Sequence, residues 1–240
     1  MEEVYKKIER NVDSLVEAGA DWTQCAAHED IAAARNGKIK LKLSGNRETP
    51  PEWLINPAAD KKVLCLAGAG GLQGPILAAA GYNVTVLDIS DQMLEKDRFI
   101  ARKEGLEIET VHGNMCDMSM FDDDRFDMII NPPSMMYVPD VAPVMKECYR
   151  VLKKDGVFIY IAPSPVNYYC DYDEEGGFYK FCNRMPYKSY EHDESGWIEF
   201  GHTMEDYLGK TIEAGFKITG YYEDQYEDIT ELWFCVRAVK

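Results

Sequence analysis

The chain has no run of about eighteen apolar residues, so nothing in it reads as a membrane-spanning helix. Its first residues, MEEVYKKIERNVDSL, mix acids and bases at helical spacing and lack the apolar stretch of a secretory signal. There is no CxxC pair. Seven cysteines, at 25, 65, 116, 148, 170, 182 and 235, are scattered and odd in number. That pattern argues against a zinc site or any other metal centre, and for reduced thiols in a cytoplasmic protein. Basic residues are scarce: 26 Lys and Arg against 42 Asp and Glu leave a net charge of −16. The clusters Lys38 to Lys42, Lys61-Lys62 and Lys153-Lys154 are short and dispersed. They offer no surface that replaces counterions along phosphates, so no nucleic-acid partner is expected. No internal repeat or low-complexity tract is visible, and 240 residues suffice for one large domain or a domain with a cap.

What the chain does have is a βαβ pattern at residues 63–90, VLCLAGAGGLQGPILAAAGYNVTVLDIS. An apolar run from Val63 to Leu66 breaks into a glycine-rich turn, then an alanine-rich helical segment, then a second apolar run ending on Asp88. Glycines let a backbone approach a ligand where a Cβ would clash. An acidic side chain at the tip of the second strand can accept both hydroxyl protons of a ribose. The spacing disfavours a dinucleotide: in G-x-G-x-x-G counted from Gly68, the third glycine position holds Gln73. An NAD-dependent oxidoreductase is therefore a distant alternative.

The stretch fits better with the V-L-D-L-G-x-G-x-G motif of the class I S-adenosylmethionine (SAM)-dependent methyltransferases, which the chain resembles over most of its length. More narrowly, LCLAGAGGLQGPILAAAG, YVPDVAPVMKECYRVLKKDG and AGFKITGYYED are similar to a little-characterised, type 11-like group of small bacterial and archaeal methyltransferases. The resemblance implies an α/β, Rossmann-like fold: a mostly parallel seven-stranded sheet with helices on both faces. The chain then divides into an N-terminal helical arm or cap over 1–60, a SAM-binding core over 61–162, a variable substrate lid after strand five over 163–202, and a closing helix and antiparallel pair over 203–240. Residues 1–45 and 163–202 flank the C-terminal edge of the sheet and are expected to fold over the cofactor cleft as a lid. SAM is the implied cofactor. Its contacts are carried over to Ala67, Gly68, Ala69, Gly71, Gln73 and Gly74 in the turn, and to Asp88, Ile89 and Met93 after the second strand. Asn114, Met115, Asn131 and Pro132 complete the set. Three positions depart from the motif: its strand-one acidic residue is Cys65, and its first two glycines are Ala67 and Ala69. The acidic residue normally helps to hold the ammonium of the methionine moiety, so another acceptor must serve or affinity is lower.

Periodicity places a helix over 2–18, a short one from His28 to Arg35, and a small strand or extended arm at IKLKLSG. ETPPEWLINP reads as a linker. Ser90 is placed to cap a helix over about 91–104. Strands are expected at Ile108 to His112, Phe126 to Ile130 and Val157 to Ile161, with a helix from Val141 to Leu152 stopped by Lys153-Lys154-Asp155-Gly156. A helix near Met204 to Ala214 should precede strands at Phe216 to Tyr222 and Leu232 to Val239.

In similar enzymes a carboxylate at the position of Asn114 meets the adenine amine; an amide carbonyl can still accept there, and Met115 would pack on the ring. Asn131-Pro132-Pro133-Ser134 is the ambiguous motif. N-P-P followed by an aromatic residue marks amino-methyltransferases acting on nucleobases or glutamine amides. Here that position is Ser134 and the nearest ring is Tyr137, so the stacking platform for a flipped base is missing. Residues 131–137 then read as the active-site floor. Because the sulfonium already activates the methyl, catalysis is largely alignment plus removal of a proton. Candidates are Asn131 and Tyr137, the bases His192 and His202, and Tyr168, Tyr169 or Tyr187. Asp171, Asp173, Glu174 and Glu175 are candidates for a cationic substrate, and Trp22, Trp53 and Trp197 for a pocket lining. Three readings stay open: methyl transfer to a small-molecule acceptor, N-methylation of a protein amide or nucleobase, and SAM binding without turnover.

Overall fold

The structure, a computed structural model, describes residues 2–20, 23–43, 47–68, 70–173, 175–181, 190–192, 197–225 and 232–240. Helices α1 (Glu2–Ala18) and α2 (His28–Arg35) precede the core. The core alternates: β1 (Lys62–Leu66), α3 (Gln73–Ala79), β2 (Asn83–Asp88), α4 (Asp91–Glu104), β3 (Ile108–His112), β4 (Phe126–Asn131), α5 (Ala142–Val151) and β5 (Leu152–Pro163). A short helix α6 (Val166–Tyr169) and two small hairpins follow, β6 (Cys170–Asp173) with β7 (Phe178–Phe181) and β8 (Tyr190–His192) with β9 (Trp197–Glu199). Helix α7 (Lys210–Glu213) and strands β10 (Lys217–Gln225) and β11 (Leu232–Val239) close the chain.

The seven-stranded sheet runs β3–β2–β1–β4–β5–β11–β10, with β11 antiparallel to both neighbours and the pairs among β1 to β5 parallel. Strands buried on both faces read as continuous apolar runs, and β1 shows how. Leu64 and Leu66 face the core shared with α5, while Val63 and Cys65 face the one shared with Leu77 of α3 and Leu94 of α4. Strand order reverses between β1 and β4, which opens a crevice at their carboxyl ends, the usual ligand position in open α/β sheets.

Local chemistry sets the element ends. Ser90 caps α4 as expected: its Oγ accepts the Met93 N–H at 3.1 Å, and Gly105 ends the helix in the left-handed region at φ 63°. Residues 39–43 form an extended arm and not a strand, with Leu41 and Leu43 buried between exposed Lys40 and Lys42. The expected stop at 153–156 is built into β5 itself. Between the pairs Phe126↔Leu152 and Met128↔Val157 the strand bulges, with Asp155 left-handed at φ 61°. The helix expected at 204–214 opens with a wide π turn over Glu205–Gly209 before α7. Thr203 and Asp206 cap it reciprocally, each backbone N–H meeting the other's side chain at 2.8 and 3.1 Å.

Candidate functional site

The glycine turn after β1 presses directly on α4. A Cβ at Gly70 would stand 2.7 Å from Met93 Sδ, and one at Gly71 would stand 3.1 Å from the Lys96 carbonyl oxygen; both residues have positive φ. Only glycine fits these two places. From outside, the arm straps the turn: Ala26 N–H donates to the Gly71 carbonyl at 2.8 Å, and Lys96 Nζ donates to the carbonyl and hydroxyl of Thr23. Ala67, at the first glycine position of the motif, is held at φ 52°. Gly68 and Gly74 are buried against Val86 of β2. Gln73 is buried and its Nε2 donates to the Lys42 carbonyl. Ala69 lies outside the described residues.

Asp88 ends β2 inside the crevice, buried, with Oδ1 accepting the Ser90 N–H at 2.8 Å. Burial pushes its carboxyl up to about 6; the backbone N–H groups of Ser90 and Ile89 work against that rise, and nearby Asp13 adds to it. Helix α1 crosses this end of the sheet. Ser90 Oγ lies 2.5 Å from Asp13 Oδ1, and Tyr5 Oη donates to Cys116 Sγ at 3.4 Å. His112 Nε2 donates to the Ile89 carbonyl at 2.8 Å and approaches Glu9 at 3.3 Å. Ile8 and Val12 of α1 bury Met93, with Tyr137 packed alongside. The face of α1 that closes the crevice thus carries both apolar and acidic groups.

The other candidates cluster at the β4 side. Asn114 Oδ1 accepts the Cys116 N–H at 2.9 Å, a local turn that occupies one of its two lone pairs. Asn131 is fully buried. Its Nδ2 donates to the Leu66 carbonyl and to Ser134 Oγ, both at 2.7 Å, while Oδ1 has no partner. Ser134 Oγ lies 3.1 Å from the carbonyl of buried Pro132 and 3.9 Å from Met115 Sδ. His202 Nε2 donates to the Val138 carbonyl at 2.8 Å, and burial holds its pKa below the usual histidine value. Phe200 N–H donates to the Met136 carbonyl, so the strand after the hairpins is stitched to the 135–138 turn.

Tyr168 Oη donates to Glu199 Oε2 at 3.3 Å within the same neighbourhood, and Tyr169 is buried beside it. Glu199 was not among the sequence candidates. His192 is described as backbone in β8, paired with Trp197. Asp171 and Asp173 sit on the β6–β7 hairpin. Trp53 packs at a 40° tilt against Tyr222, ring centroids 5.3 Å apart, and covers Gly220 of β10, away from the crevice. Trp22, Glu174 and Tyr187 lie outside the described residues. Among the described residues no group of three His, Cys, Asp or Glu side chains is disposed to hold a metal ion. None of the described helices is long and apolar enough to cross a membrane.

A parallel sheet reversing beside a tight glycine turn, with a buried carboxyl on the neighbouring strand, defines a class I methyltransferase architecture. Comparison with known proteins agrees. Residues 64–160 match the family model described as a methyltransferase domain. The chain is 41% identical over 226 residues to the uncharacterized methyltransferase YbaJ of Bacillus subtilis, covering 89% of this chain and 88% of that one. It is 31% identical over 149 residues to a ubiquinone biosynthesis O-methyltransferase of Actinobacillus pleuropneumoniae, covering 58% and 64%. Among solved structures, a SAM-dependent methyltransferase of Mesorhizobium loti superposes with a TM-score of 0.69 at 18% identity, over 79% of this chain and 94% of that one. The chain belongs to the SAM-dependent methyltransferase family, and SAM is its cofactor.

The residues present suit that cofactor. The glycines at 70 and 71 let the turn lie close against α4 at the carboxyl end of β1, and the buried Asp88 carboxyl stands at the tip of β2, the ribose position of the fold.

Proposed function

We propose that the protein transfers a methyl group from SAM to a small-molecule acceptor, in a crevice closed by α1 on one side and residues 163–202 on the other. The observation that carries this reading is the placement of α1. It bridges the ends of β2 and β3 and the 135–138 turn: Asp13 meets Ser90, Glu9 approaches His112, Tyr5 reaches Cys116, and Ile8 and Val12 bury Met93 beside Tyr137. A folded protein or duplex approaching this edge of the sheet would meet α1 first. A net charge of −16 adds repulsion against polyanions.

When bound, SAM supplies an activated methyl group. The chain supplies alignment. Asp88 holds the ribose end, the glycine turn seats the methionine end, and Asn131 with Ser134 fixes the floor between β1 and β4. Tyr137, Tyr168 and Glu199 line the acceptor side, where Glu199 is a candidate to take a proton. The sequence divisions at 60, 162 and 202 follow these roles: arm, cofactor core, lid and closing pair. The amine-clamp reading of Asn131 and Pro132 draws less support. The Ser134 hydroxyl sits where such enzymes carry an aromatic ring and lies 3.1 Å from the Pro132 carbonyl, although the Asn131 Oδ1 acceptor is without a partner among the described residues. Free thiols at all six described cysteines fit a cytoplasmic enzyme.

The test is production of S-adenosylhomocysteine against three panels: small amines, phenols and carboxylates; peptides; and oligonucleotides. Turnover confined to the first panel is the expected result. Turnover with glutamine peptides or adenine oligonucleotides would replace it with the amine-clamp reading.

A further inference from the structure

The buried face of α4 reads Met93, Leu94, Asp97, Ile100 and Ala101, so a carboxyl occupies a core position of an otherwise apolar stripe. Asp97 is 0% exposed, and neither of its oxygens makes a hydrogen bond of ordinary geometry with any described residue. Its Oδ1 lies 3.0 Å from where a Cβ on Gly74 would stand, so the glycine at the start of α3 is what admits it. Its other neighbours are the backbone of Gly71, which favours the ionised form, and the Cys65 thiol, whose ionisation Asp97 opposes. Arg98 on the same helix is occupied with Thr110, Asp91 and Glu95. A buried carboxyl without a partner weakens a fold. Folding therefore gives no reason for this residue, whereas the turn directly above it does.

We infer that Asp97 is the positioning carboxyl of the cofactor turn, supplied from α4 because β1 carries Cys65 where this motif ordinarily has an acid. Both positions reach the same spot: Cys65 is paired in register with Val86, and Val86 is the residue that meets Gly68 and Gly74 from below. Asp97 does not touch SAM. It offers acceptors to the N–H groups at Gly71, and the positive charge of the cofactor above the turn favours its ionised form. A loaded cofactor thereby strengthens the seat that the turn already has on α4.

Calorimetric titration with SAM, run beside thermal melting, tests this with Asp97→Ala and the relocated pair Cys65→Asp/Asp97→Ala. Asp97→Ala should weaken binding by about tenfold, the loss of one charge-assisted hydrogen bond, without lowering the melting temperature. The pair should return affinity to within about threefold of wild type, a factor under 1 kcal/mol. Asp97→Asn keeps the volume and reads the same loss if the alanine variant does not fold. Wild-type affinity in Asp97→Ala would overturn the inference. So would a loss that the relocated carboxyl does not recover, which is what a packing role predicts.

Discussion

The two halves of the carboxyl edge use their polar atoms in opposite ways. Over β1 and β2, Asp88 and Asp97 are buried carboxyls whose charged forms are disfavoured, and Asp13 adds a third acid nearby. Over β4, Asn131, Ser134, Pro132 and His202 are knitted to one another and to Leu66 and Val138. The first half is strained by burial and relaxes when a cationic ligand arrives. On the second, most polar atoms are already paired, the buried Asn131 Oδ1 being the exception among the described residues. Ligand sites built on strain weaken the fold locally, and floors strengthen it, so substitutions on the two sides should separate affinity from stability.

The largest effect is expected at Asp88. Asp88→Ala removes both ribose acceptors, each worth about 1.5–3 kcal/mol as bonds to a charged group. SAM affinity should fall at least about a hundredfold in calorimetry, while the melting temperature holds or rises. A change of less than about threefold would place the ribose elsewhere.

The pH dependence comes next. The Asp88 and Asp97 carboxyls are raised in the folded protein, to about 6 and about 8. Between the unfolded value near 4 and those figures the native state holds more protons, so stability falls as pH rises. From pH 5 to 8 the ligand-free protein should lose on the order of 5 kcal/mol by urea unfolding, most of it from Asp97. Asp97→Asn should flatten the part above pH 6. A profile equally steep in that variant would mean that the general excess of acids, and not the crevice, sets the slope.

On the floor the pattern inverts. His202→Ala breaks the hydrogen bond to Val138 and the edge contact with Tyr207. It should cost about 1–2 kcal/mol of stability and leave SAM affinity within about twofold. If kcat instead dropped more than about a hundredfold, a general-base effect, with the melting temperature unchanged, His202 would belong to the chemistry.

The same division explains what could be read from residues alone. The βαβ unit, the Ser90 cap and the closing strands were legible because period and capping chemistry are local. Leu232–Val239 emerges with the expected bounds. That the N-terminal arm folds over the cleft was expected from its position, but the contacts of α1 were not legible, since Tyr5, Glu9 and Asp13 look like a solvated helix until β2 and β3 are brought beneath them. Asp97 did leave a signal, an acid in register with Met93, Leu94, Ile100 and Ala101. Only the three-dimensional neighbour of that position, the turn at Gly71 and Gly74, gives it meaning. The small hairpins β6–β7 and β8–β9 were hidden because their strands are only three or four residues long, too short for an alternation such as that of Cys170–Asp173 to stand out.

The smallest expected effect sharpens the comparison most. Ala67 holds φ 52° at the first residue of the turn, where an L side chain costs about 1–2 kcal/mol relative to the right-handed region. Its N–H donates to the Leu87 carbonyl at 2.8 Å, so the backbone is fixed there by β2. Ala67→Gly relieves that strain while adding unfolded-state entropy, and the two should leave a gain of about 0.5 kcal/mol. Read by urea unfolding with and without S-adenosylhomocysteine, the gain should be the same in both states if the strain belongs to the fold. If it vanished on loading, the ligand itself would be relieving the turn at Ala67, and the strained half of the crevice would extend from Asp97 up to β1.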